Sequence, residues 1–265
     1  MMTRVTPKQV TNVIVTGKSG AGKQPRIDVL LKEYGLEQLS TGNIFRHFLG
    51  RFNEYSFQGS LDQFWQEEEG SFISDDIIAS EIGTDDEDII LGMKAKYFVE
   101  KGLFGPDSIV NALFESAFSK KDYRNQVLDG YPRTIDQARF LLDLLDTHDS
   151  IVDFIICVEN TDERIIKRTT NRRICANCGK VYHLLYKPSN KGNCETCGIP
   201  VIQRSDDTEE KIKSRLQEFY TKTVPAIQHL IDKGIPCAKV PGHLETFTEE
   251  TVKQTVMDAI ASLKK

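Results

Sequence analysis

Short apolar runs alternate with longer stretches of helical patterning along most of this chain. Runs rich in Val, Ile, Leu and Phe at 11–16, 36–40, 126–128, 152–158 and 236–240 read as strands. Helices are expected near 24–34, 107–119, 135–146, 162–173, 207–233 and 249–263. Alternation of this kind predicts an α/β fold, a parallel sheet with helices on both faces. No internal repeat or low-complexity linker interrupts the pattern, and 265 residues suffice for one sizeable core with appendages.

The first strand leads into the most informative segment, Val10 to Lys23, VTNVIVTGKSGAGK. The β-branched run Val13-Ile14-Val15 ends in Gly17, Gly20, Ala21, Gly22 and Lys23, and a helix follows from Gln24. Strand, glycine-rich turn and helix start, in that order, make a phosphate-binding loop. The backbone folds tightly enough to point successive N–H groups inward, the helix N-terminus adds partial positive charge, and Lys23 adds a full one. The residue after the lysine is normally Ser or Thr. Here Gln24 and Pro25 stand instead, which the first turn of a helix tolerates but which alters how Mg²⁺ is held.

Two further motifs narrow the class. Gln126 to Leu128 runs into Asp129-Gly130-Tyr131-Pro132-Arg133-Thr134, and Leu39-Ser40-Thr41-Gly42-Asn43-Ile44-Phe45-Arg46 offers a second turn with a hydroxyl and an arginine. An acidic residue at a strand end beside a phosphate loop orders the water around Mg²⁺, which is the role expected of Asp129. Together the three motifs resemble the nucleoside monophosphate kinases, most closely the adenylate kinases, over about four fifths of the chain. The resemblance implies a P-loop NTPase-like core with a five-stranded parallel sheet and two mobile flaps. The core would comprise 1–40, 106–172 and 206–265, the monophosphate-binding arm 41–105, and the lid 173–205.

Cys175-x2-Cys178 and Cys194-x2-Cys197, 15 residues apart, have the spacing of a tetrahedral four-thiolate zinc site, a structural one since no position stays open for chemistry. Two disulfides or four unrelated thiols are the alternatives, and disulfides would need an oxidising compartment. The N-terminus MMTRVTPKQV has no apolar signal region and no apolar run is long enough to span a membrane, so a cytoplasmic location with no membrane partner is expected. Cys157 and Cys237 read as inert core thiols. Few basic residues lie inside the cysteine ribbon (Lys180, Lys187 and Lys191), a poor footprint for nucleic acid. Arg168, Arg172 and Arg173 precede it on the expected helix 162–173, and Arg204, Asp206, Asp207 and Arg215 follow. This resembles the zinc-bearing lid of adenylate kinases, with Val181 and Tyr182 on its strand.

The net charge of −5 hides an asymmetry. Between Gly50 and Asp88 stand twelve acidic residues and one basic residue, a segment charge of −11 that leaves +6 for the rest. A basic body suits a protein that holds two polyphosphates. The acidic stretch, about 50–88, falls where the family's arm is much shorter, and the family pattern resumes at Leu91-Gly92-Met93-Lys94-Ala95-Lys96. Phe52, Tyr55, Phe57, Phe64, Trp65 and Phe72 argue against a solvated tail. A small helical subdomain packed on the arm or on another subunit is expected, which makes a homo-oligomer a live expectation.

The resemblance implies reversible phosphoryl transfer from Mg·ATP to AMP, giving two ADP. It implies catalytic cations Lys23, Arg133, Arg172, Arg204 and Arg215. ATP would be held by Gly20, Ala21, Gly22, Lys23, Gln24, Arg168, Arg172, Val181 and Tyr182. AMP would be held by Thr41, Arg46, Leu103, Phe104, Gly105, Gly130, Arg133, Gln137, Arg204 and Arg215, with Gln137 reading the adenine edge and Asp206 and Asp207 orienting lid arginines. Gly105 stands where a branched apolar residue is usual, so the acceptor pocket is looser and GMP or a pyrimidine monophosphate stays open. A broad-specificity nucleoside monophosphate kinase and a non-catalytic nucleotide-binding regulator are the two alternatives, the latter resting on Gln24-Pro25 and the acidic insertion.

Overall fold

The structure, a computed structural model, describes residues 10–55, 57–101, 105–185, 187–204 and 207–263. Leu103, Phe104 and Asp206, singled out above, lie outside the described residues.

Strand β1 (Asn12–Thr16) is followed by helix α1 (Gln24–Tyr34), β2 (Glu37–Ser40) and α2 (Thr41–Tyr55). The acidic insertion then forms a single 3-10 turn (Leu61–Phe64), a hairpin of β3 (Trp65–Gln66) and β4 (Ser71–Phe72), and α3 (Asp75–Ile82). Helices α4 (Glu87–Glu100) and α5 (Asp107–Ser119) lead back to β5 (Gln126–Asp129), α6 (Ile135–Thr147), β6 (Phe154–Glu159) and α7 (Asp162–Thr170). Three short strands, β7 (Arg172–Cys175), β8 (Val181–His183) and β9 (Val201–Ile202), surround the cysteines. The chain ends on α8 (Glu209–Glu218), α9 (Val224–Asp232), β10 (Cys237–Pro241) and α10 (Glu249–Ser262).

The main sheet has the order β10-β6-β1-β5-β2 and every pairing in it is parallel. Its strands are apolar on both faces, as a doubly covered parallel sheet requires. Val13, Val15, Phe154, Ile156 and Val158 join Ile27, Leu30, Val256 and Ile260 of α1 and α10 on one side. Ile14, Leu128 and Ile155 join Phe48, Leu113, Leu141 and Leu230 on the other. Because all five strands run the same way, Thr16, Ser40, Asp129 and Pro241 end along one edge. Ligands of open α/β sheets bind beyond that edge. Asn12 fixes the opposite end: its buried amide donates to Tyr123 O, Ser150 Oγ and Ile151 O and accepts from Gln126 N–H.

Two helices end earlier than the sequence pattern suggests. The stretch 162–173 stops at Thr170, where the Asn171 side chain donates to Lys167 O at 2.8 Å and caps the last turn. Arg172 and Arg173 therefore sit on β7 and not on a helix. The stretch 207–233 divides into α8 and α9 around a π-helical turn at Phe219–Thr223. Pro225, which has no N–H and whose ring crowds the carbonyl four residues back, accounts for the break.

The insertion is a small folded unit laid on α2 and α4. Leu61, Phe64, Ile78 and Ile82 are buried with Phe52, Met93 and Phe98. Trp65 stacks on Tyr97 at 5.3 Å and meets Phe72 edge-on at 5.0 Å. Its aromatics are thus engaged inside the chain, as expected of a subdomain packed on the arm. The close approach of α2 and α4 depends on Gly92, where a Cβ would lie 2.2 Å from Phe48 O. Backbone cannot yield as a side-chain tip can, so Gly92→Ala should destabilise the protein by about 1–3 kcal/mol, read as a lower urea midpoint.

Candidate active site

The glycine loop turns between β1 and α1 as the sequence implies. Gly17, Gly20 and Gly22 take φ of 142°, 84° and 104°, values that side chains with a Cβ rarely adopt. Lys23 folds back over the loop, its Nζ donating to Gly17 O at 3.1 Å. Burial lowers its pKa, the Asp129 carboxylate raises it and Arg133 lowers it, so all three groups lie in one field. Helix α1 opens with Pro at its first turn and no side-chain cap. Gln24 instead exchanges hydrogen bonds with Gln38, whose Nε2 also donates to Asp129 Oδ2 at 3.0 Å. That relay reaches from the position of the usual hydroxyl to the strand-end acid. Asp129 Oδ1 is buried and has no partner.

The second and third motifs meet at Gly130. A Cβ there would lie 2.9 Å from Arg133 Nη2 and 3.4 Å from Thr41 Oγ1. Thr41 Oγ1 donates to Asp129 O at 3.2 Å, and Arg133 Nε donates to Gly130 O at 2.8 Å. Arg215, on α8, and Glu218 are close enough to act on the Arg133 charge. Arg46 is exposed on α2 and hydrogen-bonded to Asn43. Among the described residues, a Cβ at Gly105 would approach only Phe98 Cδ2, at 4.0 Å. Arg168 lies at the other end of the loop, its Nη1 3.2 Å from where a Gly22 Cβ would be.

Other expected site residues are placed differently. Gln137 is buried and both ends of its amide are taken: Oε1 accepts from Arg133 N–H at 2.8 Å, and Nε2 donates to Asp107 Oδ1 at 2.7 Å. A base edge reaches it only in exchange for Asp107. Arg172 is clamped on both oxygens of the fully buried Asp207, at 2.8 and 2.6 Å, and so is oriented as expected of Asp207. Arg204 is exposed beyond β9. Val181 is exposed on β8, whereas Tyr182 is buried inside the cysteine ribbon, donating to Cys194 Sγ and accepting from Glu195 N–H. The Tyr182 side chain therefore faces the knuckles.

The four ribbon thiols lie within 4.8 Å of one another. Cys178 and Cys194 Sγ are 3.6 Å apart, close to the edge of about 3.8 Å that four sulfurs at tetrahedral zinc distances would make. The two knuckles match: Gly179 N–H donates to Cys175 O and Gly198 N–H to Cys194 O, with both glycines at positive φ. Asn177 Nδ2 donates to Cys197 Sγ at 3.3 Å, the outer-shell support such a site uses. The donor set fits zinc.

A family model described as adenylate kinase matches residues 74–235. Adenylate kinase of Caldicellulosiruptor bescii is 34% identical over 225 residues, covering 84% of this chain and 88% of its own. That of Kosmotoga olearia is 32% identical over 246 residues, covering 91% and 97%. That of Archaeoglobus fulgidus is 32% identical over 226 residues, covering 84% and 88%.

The chain belongs to the adenylate kinase family. It is a nucleoside monophosphate kinase, a phosphotransferase acting on nucleotides. Among the described residues no helix is long and apolar enough to cross a membrane. Beside this adenylate kinase framework the structure shows contacts that no sequence pattern indicated. Lys18, inside the loop, donates to Asn160 O at 3.2 Å and pairs with Asp162, which also accepts from Tyr220 OH. The loop is thereby tied to α7 and to the π-helical turn, on either side of the ribbon. Positions between the loop glycines vary freely, so nothing in the motif marks Lys18. A groove of about 980 Å³ opens behind the loop, lined by Cys157, Asp162, Tyr220, Ile227, Cys237 and Lys239. None of the expected nucleotide ligands lines it. Cys157 and Cys237 form part of its wall, half-buried, and burial pushes both thiols up, Cys237 to about 11, which keeps them unreactive as expected.

Proposed function

We propose that this chain transfers the γ-phosphoryl group of Mg·ATP to AMP, giving two ADP, with 1–40, 106–172 and 206–265 as core, 41–105 as AMP arm and 173–205 as zinc lid. The observation that carries the reading is the convergence beyond β1 and β5 of the glycine loop with Lys23, the Asp129 strand end, and Arg133 and Thr41 packed at Gly130, with Arg215 of α8 near enough to act on Arg133. Lys23, Arg133 and Arg215, with Asp129, Glu218, Thr41 and Gly130 alongside, suit a donor triphosphate and an acceptor phosphate that converge.

The residues act by holding charge and direction. An acceptor phosphate oxygen attacks the γ-phosphorus as the bond to the β–γ bridging oxygen breaks, so no side chain need supply a nucleophile. Lys23 and the loop amides neutralise the donor phosphates, and Arg133 and Arg215 orient the acceptor through their planar forks. Arg46 adds a cation on the AMP side. Mg²⁺, when bound with ATP, supplies charge neutralisation across the phosphates. Asp129 would hold its water shell, and the unpartnered Oδ1 is the atom that fits that part. Arg168 would stack on the ATP base, and Arg172, fixed by Asp207, and Arg204 would come down with the lid, excluding water. Thiols held for zinc suit a reducing cytoplasm.

Initial rates with Mg·ATP against AMP, GMP, CMP and UMP test the proposal. AMP should be preferred about tenfold or more. Equal rates on several acceptors would make the enzyme a broad nucleoside monophosphate kinase, in keeping with the absence of a branched side chain at Gly105. The regulator is the second reading, favoured by Gln24-Pro25 in the loop. Nucleotide binding with no turnover on any acceptor would establish it.

A further inference from the structure

Arg26 is the largest of the fully buried side chains and stands in the first turn of α1, directly behind the phosphate loop. Nη1 donates to Gly22 O at 3.2 Å and Nη2 donates to Pro241 O at 2.6 Å. Nε is buried with no partner. The guanidinium lies 5.4 Å from the Phe247 ring centre. Among the described residues no ion pair reaches it, and the charged group that acts on it is another cation, Arg168. A Cβ built on Gly22 would be 3.5 Å from Arg26 Nη1 and 3.2 Å from Arg168 Nη1. Two guanidinium groups therefore meet at the loop, and among the described residues the hydrogen bonds of Arg26 both go to carbonyl oxygens. A buried cation without a counter-charge is costly, and proteins keep such groups where something else completes the charge.

The first hydrogen bond has a directional consequence. The Gly22–Lys23 peptide is trans, so its C=O and the Lys23 N–H point to opposite sides. Holding Gly22 O rearward on Arg26 turns the Lys23 N–H forward, into the hollow of the loop. The second bond reaches Pro241, the last residue of β10, and the chain is pressed against the loop there as well. Gly242 N–H donates to Glu159 O at 2.6 Å, and a Cβ on Gly242 would be 2.0 Å from Ala21 O. Arg26 thus brackets the loop against β10 at the turn where Gln24 and Pro25 leave it without the usual hydroxyl and without one first-turn N–H.

We propose that Arg26 is a positioning residue of the donor site, aiming the loop amides at the polyphosphate and lending them a buried positive charge that bound ATP completes. The inference rests on the ATP assignment above and goes beyond it by naming what this loop uses in place of the missing hydroxyl. Arg26 itself touches no solvent-facing surface, so it acts through the Gly22–Lys23 peptide and through its field.

The test uses the full-length protein and the variants Arg26→Met, Arg26→Lys and Arg26→Gln, with Mg·ATP, inorganic tripolyphosphate and AMP as separate titrants in calorimetry. Arg26→Met should weaken ATP and tripolyphosphate alike, by about tenfold or more, and leave AMP affinity unchanged. Its ligand-free melting temperature should hold or rise, since an uncompensated buried charge is gone, while the upward shift on adding ATP shrinks. A side chain that is merely structural gives the reverse pattern, a lower ligand-free melting point with the ATP-induced shift preserved, and that result overturns the proposal. Should Arg26→Met fail to fold, the charge is tested by the other pair. Arg26→Lys must bind tripolyphosphate more tightly than Arg26→Gln, and equal affinities refute the role. Failure of wild type to bind ATP at all would instead refute the donor assignment, which keeps the two ideas separable.

Discussion

Lys23→Ala should lower kcat by about 10³-fold, the loss that follows removal of one preorganised charge from a developing anionic transition state. The structure says why this lysine matters more than its neighbours. Its Nζ is held over the loop by Gly17 O, between Asp129 and Arg133 and half-shielded from water. A charge in such a setting is already oriented and partly desolvated, so it stabilises phosphoryl oxygens more than a solvated lysine would. The same setting predicts that folding is spared. The side chain contributes no apolar anchor, and its site is only partly buried, so water can take its place at the loop carbonyls. Circular dichroism and the melting temperature should therefore stay near wild type while coupled-assay turnover collapses. Turnover close to wild type in a folded Lys23→Ala protein would mean that the loop does not cradle the transferred phosphates.

Local chemistry was legible in the sequence, and long-range choices of partner were not. Val13-Ile14-Val15 before a glycine turn can scarcely be anything but a buried strand, and β1 falls there. The two Cys-x2-Cys-Gly knuckles announce their geometry because each closes on itself, and the thiols converge. Gln137 shows the limit. Its place four residues after Arg133 suggested a base reader, and the structure adds a partner in Asp107, thirty residues earlier in the chain, which accepts from its amide nitrogen; no spacing rule connects those two positions. The break at Pro225 could have been read from the proline alone, since a helix interior excludes it. Arg26 could not. An arginine in the first turn of a helix normally points to water, and only the fold brings Pro241 O and Gly22 O to it.

Zinc removal should uncouple the lid from the core. The small sheet of β7, β8 and β9 has almost no apolar interior of its own: its buried residues are Cys175, Tyr182 and Cys194, with Cys197 and Val201 beside them. So little burial cannot hold three short strands together. Metal binding of the strength found in four-ligand structural sites, about 10–16 kcal/mol in isolated zinc peptides, can. The purified protein should carry about one zinc per chain by elemental analysis. Cys194→Ser should lose that metal and leave the ribbon open to protease, while the five-stranded sheet and the Trp65 fluorescence of the arm stay intact. Arg204 follows β9 and Arg172 opens β7 while held to Asp207, so a melted ribbon displaces Arg204 and loosens the strand that carries Arg172. kcat/KM for ATP should then fall about 10²-fold, the cost of misplacing groups that must converge on the reacting phosphate. AMP binding, assigned above mostly to residues outside the ribbon (Thr41, Arg46, Arg133 and Arg215), should weaken only by the loss of Arg204. A metal-free protein with a protease-resistant ribbon and full turnover would show instead that the thiols hold the lid without zinc. Intact zinc content in Cys194→Ser would show that the metal sits elsewhere.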